Sequence, residues 1–453
     1  AGFSHTHLSG TGIGDWCDIS VLPLTDTSEI RKPRILIPFN HANEKASPGY
    51  YSVKLNNGIQ CELTADDRTG HHRYQFPNNE GWLRFDMGFA INWDKSTAGM
   101  LQRVDDHTIV GYRYSTGWAK GQKVYFAARF SSPIIKHIFI DDSVRNNNKA
   151  IGKLVKAALQ FKTDEPLDLR VTLSSVSTEK ALNELKNTPT ASFENVLQNA
   201  NESWEKELKK ATIRTEDKSM KTRFYTSLYR TCLAPVQFSD ADGEFQTHDS
   251  KLIKGKRTKE QYTIFSNWDV FRALFPLFTL TQTDRLPDMI NSMLQFYEHN
   301  GLLPVWDISS WEANTMTGYH SIPIIADAIL KGIKGFDHSF AFEAMKKSAF
   351  QRERGTPFYI QYSYLPQDKH GWSVTITLEY AFDDWCIAQV AKKLGRKEDE
   401  RLFLQRAGNY KNLFDAWEGT CAAEEVFEGT MIGAIVFAAY GMQTAHAPAD
   451  LMG

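Results

Sequence analysis

The hydrophobic pattern of the chain changes period once. Up to about residue 190, apolar and polar positions alternate near period two in runs rich in β-branched and aromatic side chains: TIVGYRY at 108–114, KVYFAARF at 123–130 and LDLRVTLS at 167–174. Period two sends successive side chains to opposite faces of a strand, and turn clusters at 56–58 (NNG) and 78–81 (NNEG) separate such runs. Many short strands with this punctuation predict an antiparallel β-sandwich. From about Ser192 the spacing becomes three to four, at Phe193, Val196, Leu197, Trp204 and Leu208, then at Met220, Phe224 and Leu228. Helical patterns continue at 268–281, 286–300, 322–331, 341–350, 375–394 and 397–413. Strands followed by a long series of helices predict segregated α+β domains rather than interleaved βα units. The expected division is a β-sandwich at 1–190, a helical linker at 191–215 and a helical domain at 216–453. No repeat of roughly 33 to 47 residues runs through the helical part, which leaves a toroid of helical hairpins with its chemistry in the loops.

Composition narrows the function. The chain has 453 residues, 42% hydrophobic and 23% charged, with 52 Lys and Arg against 54 Asp and Glu. That is a folded protein with room for more than one core, and a net charge of −2 gives no composition-level argument for nucleic acid. No apolar run approaches the roughly 18 residues of a membrane span. Five cysteines (17, 61, 232, 386 and 421) are odd in number and far apart, which supports neither a disulfide framework nor a zinc site. The opening AGFSHTHLSGTG carries no readable targeting signal, and no Lys or Arg follows Lys411, so both ends are expected to be incomplete or unusual.

Familiar motifs are mostly absent. GTGIG at 10–14 lacks the dinucleotide spacing, and there is no P-loop and no G-x-S-x-G elbow. DADG at 240–243 reads as a turn rather than a calcium loop. What stands out is a set of polar and aromatic clusters at helix edges. In SNWDVFR at 266–272, Asp269 and Arg272 either form an ion pair below a Ser266 or Asn267 cap, or grip vicinal sugar hydroxyls beside the face of Trp268. PVWD at 304–307, WEAN at 311–314 and GYHSIP at 318–323 supply aromatic platforms with polar partners, suited to a polyhydroxylated ring or to a buried network. Glu379 and Asp383 lie four residues apart on a helix; the adjacent Asp383 and Asp384 diverge by about 100°, so both facing inward is not expected, and hydrogen bonding to neighbouring helices is. His5 and His7 alternate in a glycine-rich opening without an evident third metal ligand.

These same stretches resemble a known family. FSHTHLSGTG, NWDVFRALFPL, MINSMLQFYEHNGLLPVW, EANTMTGYHSIPIIADAILKGI and WSVTITLEYAFDDWCIAQVAKKLG are similar, in order, to the calcium-dependent exo-α-mannosidases of glycoside hydrolase family 92. The resemblance implies an N-terminal β-sandwich and an (α/α)6 helical toroid, here incomplete, with the active site between them. It also implies secreted or periplasmic hydrolysis of terminal α-linked mannose from glycans with inversion, assisted by Ca2+. Carried over, Trp268, Asp269 and Arg272 bind the terminal mannose, with Tyr319, His320 and His7 as further pocket residues. Glu428, in FEGT at 427–430, stands where the family has its general acid, although the Asn, Trp and Gln of that motif are not reproduced. The base and the calcium environment are expected beyond Gly453. Two alternatives remain at this stage: a non-catalytic carbohydrate-binding or scaffold protein of mannosidase-like fold, and an (α/α)6 glycosidase of other sugar specificity.

Overall fold

A computed structural model describes residues 2–8, 12–28, 30–140, 144–146, 148–415 and 420–421. The chain forms two compact units, Ala1–Lys254 and Gly255–Gly453.

The first unit is built on two large antiparallel sheets, beside a two-stranded one of Glu244–Gln246 and Leu252–Lys254. The larger has ten strands, with Lys95–Arg103, Thr108–Thr116, Gln122–Phe130, Leu167–Ser174 and Thr69–Gln75 adjacent at its centre. The smaller has four: Ser20–Leu24, Glu80–Asp86, Lys156–Lys162 and Lys136–Ile140. The three period-two runs of the sequence all lie in the centre of the large sheet. Their apolar members meet those of the small sheet in one core, where Phe85 stacks on Phe126 with centroids 6.1 Å apart and Phe130 meets Phe161 at 4.7 Å. The NNG cluster makes the hairpin between Tyr50–Leu55 and Gln60–Ala65, where Gly58 has φ +89°. The NNEG cluster bends the chain from the large sheet to the small one. Three helices complete the unit: α1 (Thr178–Asn187), α2 (Phe193–Leu208) and α3 (Lys218–Thr231), capped by Ser177, Ser192 and Asp217.

The second unit is helical: α4 (Asn267–Val270), α5 (Leu274–Thr281), α6 (Leu286–Asn300), α7 (Ser321–Leu330), α8 (His338–Ala349), α9 (Thr356–Tyr362), α10 (Ser373–Lys393) and α11 (Lys397–Ala407). The predicted helix at 268–281 is broken into α4 and α5. Pro276 has no N–H, and its ring would clash with the carbonyl of Arg272 in a continuous helix, so the chain turns at Ala273 and Pro276 falls in the first turn of α5. α10 is the centre of the unit, packed by α7, α8 and α11 and buried around most of its circumference, with a part-exposed stripe at Phe382, Trp385 and Gln389. Its sequence accordingly shows apolar residues around its whole circumference. Among the described residues the helices form no closed barrel, and no helix is long and apolar enough to cross a membrane.

Candidate functional site

The break after α4 fixes the position of Arg272. Its guanidinium is part-exposed, lies over the rings of Phe271 (4.6 Å) and Trp268 (5.7 Å), and donates to Glu379 Oε1 at 3.0 Å. The expected pairing of Asp269 with Arg272 is replaced: Asp269 accepts from Ser266 Oγ, and Arg272 turns to α10. Neither Ser266 nor Asn267 caps α4 by its side chain. Asn267 is buried and donates to Pro304 O and Ser321 Oγ, both at 2.9 Å, which pins α4 to the start of α7. Asp269 is exposed, and the Trp268 indole Nε1 is buried without a hydrogen-bond partner among the described residues.

Behind Arg272 runs a chain of buried charges. Glu379 and Asp383, one turn apart on α10, straddle His320: Nε2 is 3.0 Å from Glu379 Oε2, and Nδ1 donates to Asp383 Oδ1 at 2.9 Å. Burial opposes charge on this imidazole, but the two carboxylates outweigh it and raise the His320 pKa to about 9. Glu379 is in turn held below its usual range, against burial, by His320 and Arg272. The His320 ring stacks on Phe271 at 4.1 Å, so Arg272, Phe271 and His320 form successive layers. Tyr319 and His320 are each only 1% exposed. Tyr319 N–H donates to Asp383 at 3.0 Å, and its ring stacks on Tyr380 at 4.4 Å.

Asp383 and Asp384 are both fully buried, against the sequence expectation that only one faces inward. The divergence of about 100° is real, but α10 is packed around most of its circumference, so each carboxylate meets a different neighbour. Asp384 pairs with Arg406 of α11 at 2.9 Å and accepts from Tyr359 of α9 at 3.1 Å. The expected hydrogen bonding to neighbouring helices is what the two acids make.

The loop that delivers His320 is held under backbone strain. Ser309, Ser310, Asn314 and Met316 all have positive φ. Glu312 accepts from the backbone N–H groups of Val305, Trp306 and Asn314 at 2.7, 3.0 and 2.8 Å, and Arg354 clamps Asn314, Met316 and Gly318. Gly318 has φ +75°, and a β-carbon there would fall 2.2 Å from His320 Nε2, so only glycine fits. In the preceding strand Asp307 is buried, which pushes its carboxyl up to about 8. The aromatic and polar residues of 304–314 are thus largely engaged in building this loop.

His7 belongs to the first unit. It is exposed, with Nδ1 3.7 Å from Cys17 Sγ, on a segment tied down by Thr6 Oγ1 donating to Asp18 at 2.6 Å and His5 Nδ1 donating to Ile19 O at 2.7 Å. Glu428 lies outside the described residues. Arg354, Tyr359, Arg406 and the partnership of Glu379 with Arg272 were not read from the sequence. No local signal marks them, because their partners lie 22 to 107 residues away.

The chain matches known proteins along almost its whole length. Residues 1–174 match the glycosyl hydrolase family 92 N-terminal domain, and residues 180–431 match the glycosyl hydrolase family 92 catalytic domain. Among solved structures, the family GH92 α-mannosidase BT3965 of Bacteroides thetaiotaomicron is 36% identical, with a TM-score of 0.89 over 94% of this chain and 59% of its own. That protein has also been solved in complex with mannoimidazole. The family GH92 inverting mannosidase BT2199 of Bacteroides thetaiotaomicron VPI-5482 is 28% identical, with a TM-score of 0.81 over 90% of this chain and 57% of its own. An uncharacterized secreted glycosidase of Arthroderma benhamiae is 26% identical over 92% of this chain and 56% of its own length. The chain therefore spans somewhat under two thirds of the length of these relatives. With both domains matched in order, and the first of these structures aligned over all but a few per cent of it, the chain belongs to glycosyl hydrolase family 92.

Proposed function

We propose that the protein is an exo-acting glycosidase that releases terminal α-linked mannose from glycans with inversion at the anomeric carbon, assisted by calcium, in a secreted or periplasmic setting. The observation that carries this reading is the surface group of half-buried Trp268 with exposed Asp269 and Arg272, its guanidinium held from behind by Glu379, His320 and Asp383. An indole face suits the C–H side of a pyranose, and a carboxylate and a guanidinium suit adjacent hydroxyls as acceptor and donor. Fixing the guanidinium before substrate arrives removes an ordering cost from the bound state. Tyr319 and His320 enter as positioning residues, since their polar atoms face α10.

Inversion needs a carboxylic acid that protonates the leaving oxygen and an opposing carboxylate that activates water. Glu428 is the proposed acid. Among the described residues no group of three or more His, Cys, Asp or Glu is placed to hold a metal ion. The test is hydrolysis of an aryl α-mannoside by the full-length protein, followed by NMR of the first-formed anomer, with and without a chelator. β-Mannose as first product, activity lost on chelation and restored by calcium, and indifference to α-glucosides are expected. Retention, or equal cleavage of glucosides, sinks the assignment; mannose binding without release points to the non-catalytic alternative.

A further inference from the structure

Three adjacent strands of the large sheet set cations side by side. Arg170 is paired in register with Arg129 on one neighbouring strand and with His71 on the other. Directly opposed residues share a face, and two guanidiniums in that relation repel, so sheet stability alone disfavours the arrangement. Among the described residues neither arginine has a carboxylate ion-pair partner. Arg170 donates to Thr190 Oγ1 and Thr188 O, and Arg129 to Thr108 Oγ1, all at 3.3 Å, the long end of hydrogen bonding. Arg170 is 9% exposed, and its Nε–H has no hydrogen-bond partner among the described residues. A buried charged donor left unmade is a net cost that native structures rarely carry without reason.

The acids nearby are already engaged. Asp168 is held bidentately by Arg73 at 2.7 and 2.9 Å. Asp66 takes His71 Nε2 at 3.1 Å and two backbone N–H groups, and Asp105 takes the His107 N–H at 2.7 Å. Between the arginines lies a cavity of about 140 Å³, lined by Arg129, Arg170, His71, Ser131, Thr190 and Phe193 among others, with the Arg73-held Asp168 also in its wall. Arg129, Ser131 and Thr190 are exposed at its mouth, while Arg170 and His71 are buried at its base. Ser131 Oγ accepts from Asp168 N–H, which leaves its own hydrogen to donate. Phe193 opens the sixteen-residue α2, so the positive end of a helix borders the same space.

We propose that this cavity in the β-sandwich unit binds a phosphate- or sulfate-class oxyanion, taken by the Arg170 Nε–H at the base and the Arg129 guanidinium at the mouth. Such a ligand turns the repelling pair into a pincer, supplies the missing acceptor, and has room beside it for water. Burial lowers the Arg170 pKa most, Asp66 offsets part of that, and the neighbouring Arg129 lowers it further, an effect that a bound dianion reverses. The site is independent of the glycosidase reading. The oxyanion is either free in solution or the terminal group of a larger molecule.

Thermal unfolding of the full-length protein in sodium phosphate, sodium sulfate or sodium chloride at matched ionic strength tests the site. Phosphate or sulfate is expected to raise the midpoint of the first unit saturably by roughly 2–4 °C over chloride. Arg129→Gln, at the exposed mouth, is expected to abolish that rise without lowering the midpoint in chloride, and Arg129→Lys to keep part of it. Phenyl phosphate in place of inorganic phosphate separates the sources: an equal response assigns a carried group, and a response to the inorganic ion alone assigns the free one. No rise with any oxyanion, or an Arg129→Gln protein that responds as the wild type does, overturns the proposal.

Discussion

His320 carries charge because three separated stretches of chain converge on it: the strained loop ending at Gly318, the Phe271 ring beside the α4 break, and two carboxylates one turn apart on α10. The sequence singled out His320 as a pocket residue, and its surroundings make it the link between α10 and Arg272. Replacing it by Gln removes the positive centre between Glu379 and Asp383 and frees Glu379 to shift, taking Arg272 with it. For His320→Gln a fall of about 10²-fold in kcat/KM on an α-mannoside is expected, with circular dichroism unchanged. An unchanged kcat/KM would detach His320 from the site. In the first unit another histidine chain has the opposite charge logic. With both rings neutral, His5 Nδ1–H donates to Ile19 O, His5 Nε2 accepts the His72 Nε2–H at 2.9 Å, and His72 Nδ1 accepts from Tyr74 OH at 2.7 Å. Burial is what keeps the rings neutral, driving His5 down to about 4 and His72 well below its ordinary value.

The two histidine systems give opposite pH limits. A folded pKa below the unfolded value of 6.5 contributes stability that is present above pH 6.5 and lost as pH falls toward 4, which applies to His5 and His72. A folded pKa raised to about 9 contributes stability that is present below 6.5 and lost as pH rises through 9, which applies to His320. Hydrogen exchange resolved by segment, corrected for intrinsic rates, should show the strand Thr69–Gln75 loosening on the acid side and the start of α7 on the alkaline side. The reverse assignment would contradict both charge assignments. Among elements, α10 is where local pattern and packing diverge most. Its carboxylates looked too close in sequence to be buried together, yet Asp384 anchors α11 through Arg406 and α9 through Tyr359. Asp384→Ala leaves a buried guanidinium without its counter-charge, at a cost of about 3–5 kcal/mol. A drop of about 6 °C or more in the unfolding midpoint of the helical unit is expected, and a drop under about 2 °C would show that the pair is dispensable.

For the whole molecule, the two units have separate hydrophobic cores, one of facing sheets and one of helices around α10. The chain passes from one to the other through a stretch dense in exposed lysines, Lys251, Lys254, Lys256 and Lys259. Limited trypsin digestion is expected to cut there first and leave an N-terminal fragment ending near Lys254. Early cleavage within either unit instead would mean that one of the cores is looser than its burial implies. What the sequence determined is what depends on periodicity and local sterics. Period two gave the central strands of the large sheet, three-to-four spacing gave most of the helices, NNG gave a hairpin, and the order of the blocks gave the family. Pro276 carried the α4 break in plain sight, because a missing N–H is a property of one residue. Tertiary structure alone decided which charges meet: Arg272 with Glu379, Asp384 with Arg406, and Arg129 beside Arg170. Those choices are set by packing distance rather than chain distance, and in a buried, low-dielectric setting the neighbour across space decides protonation and geometry.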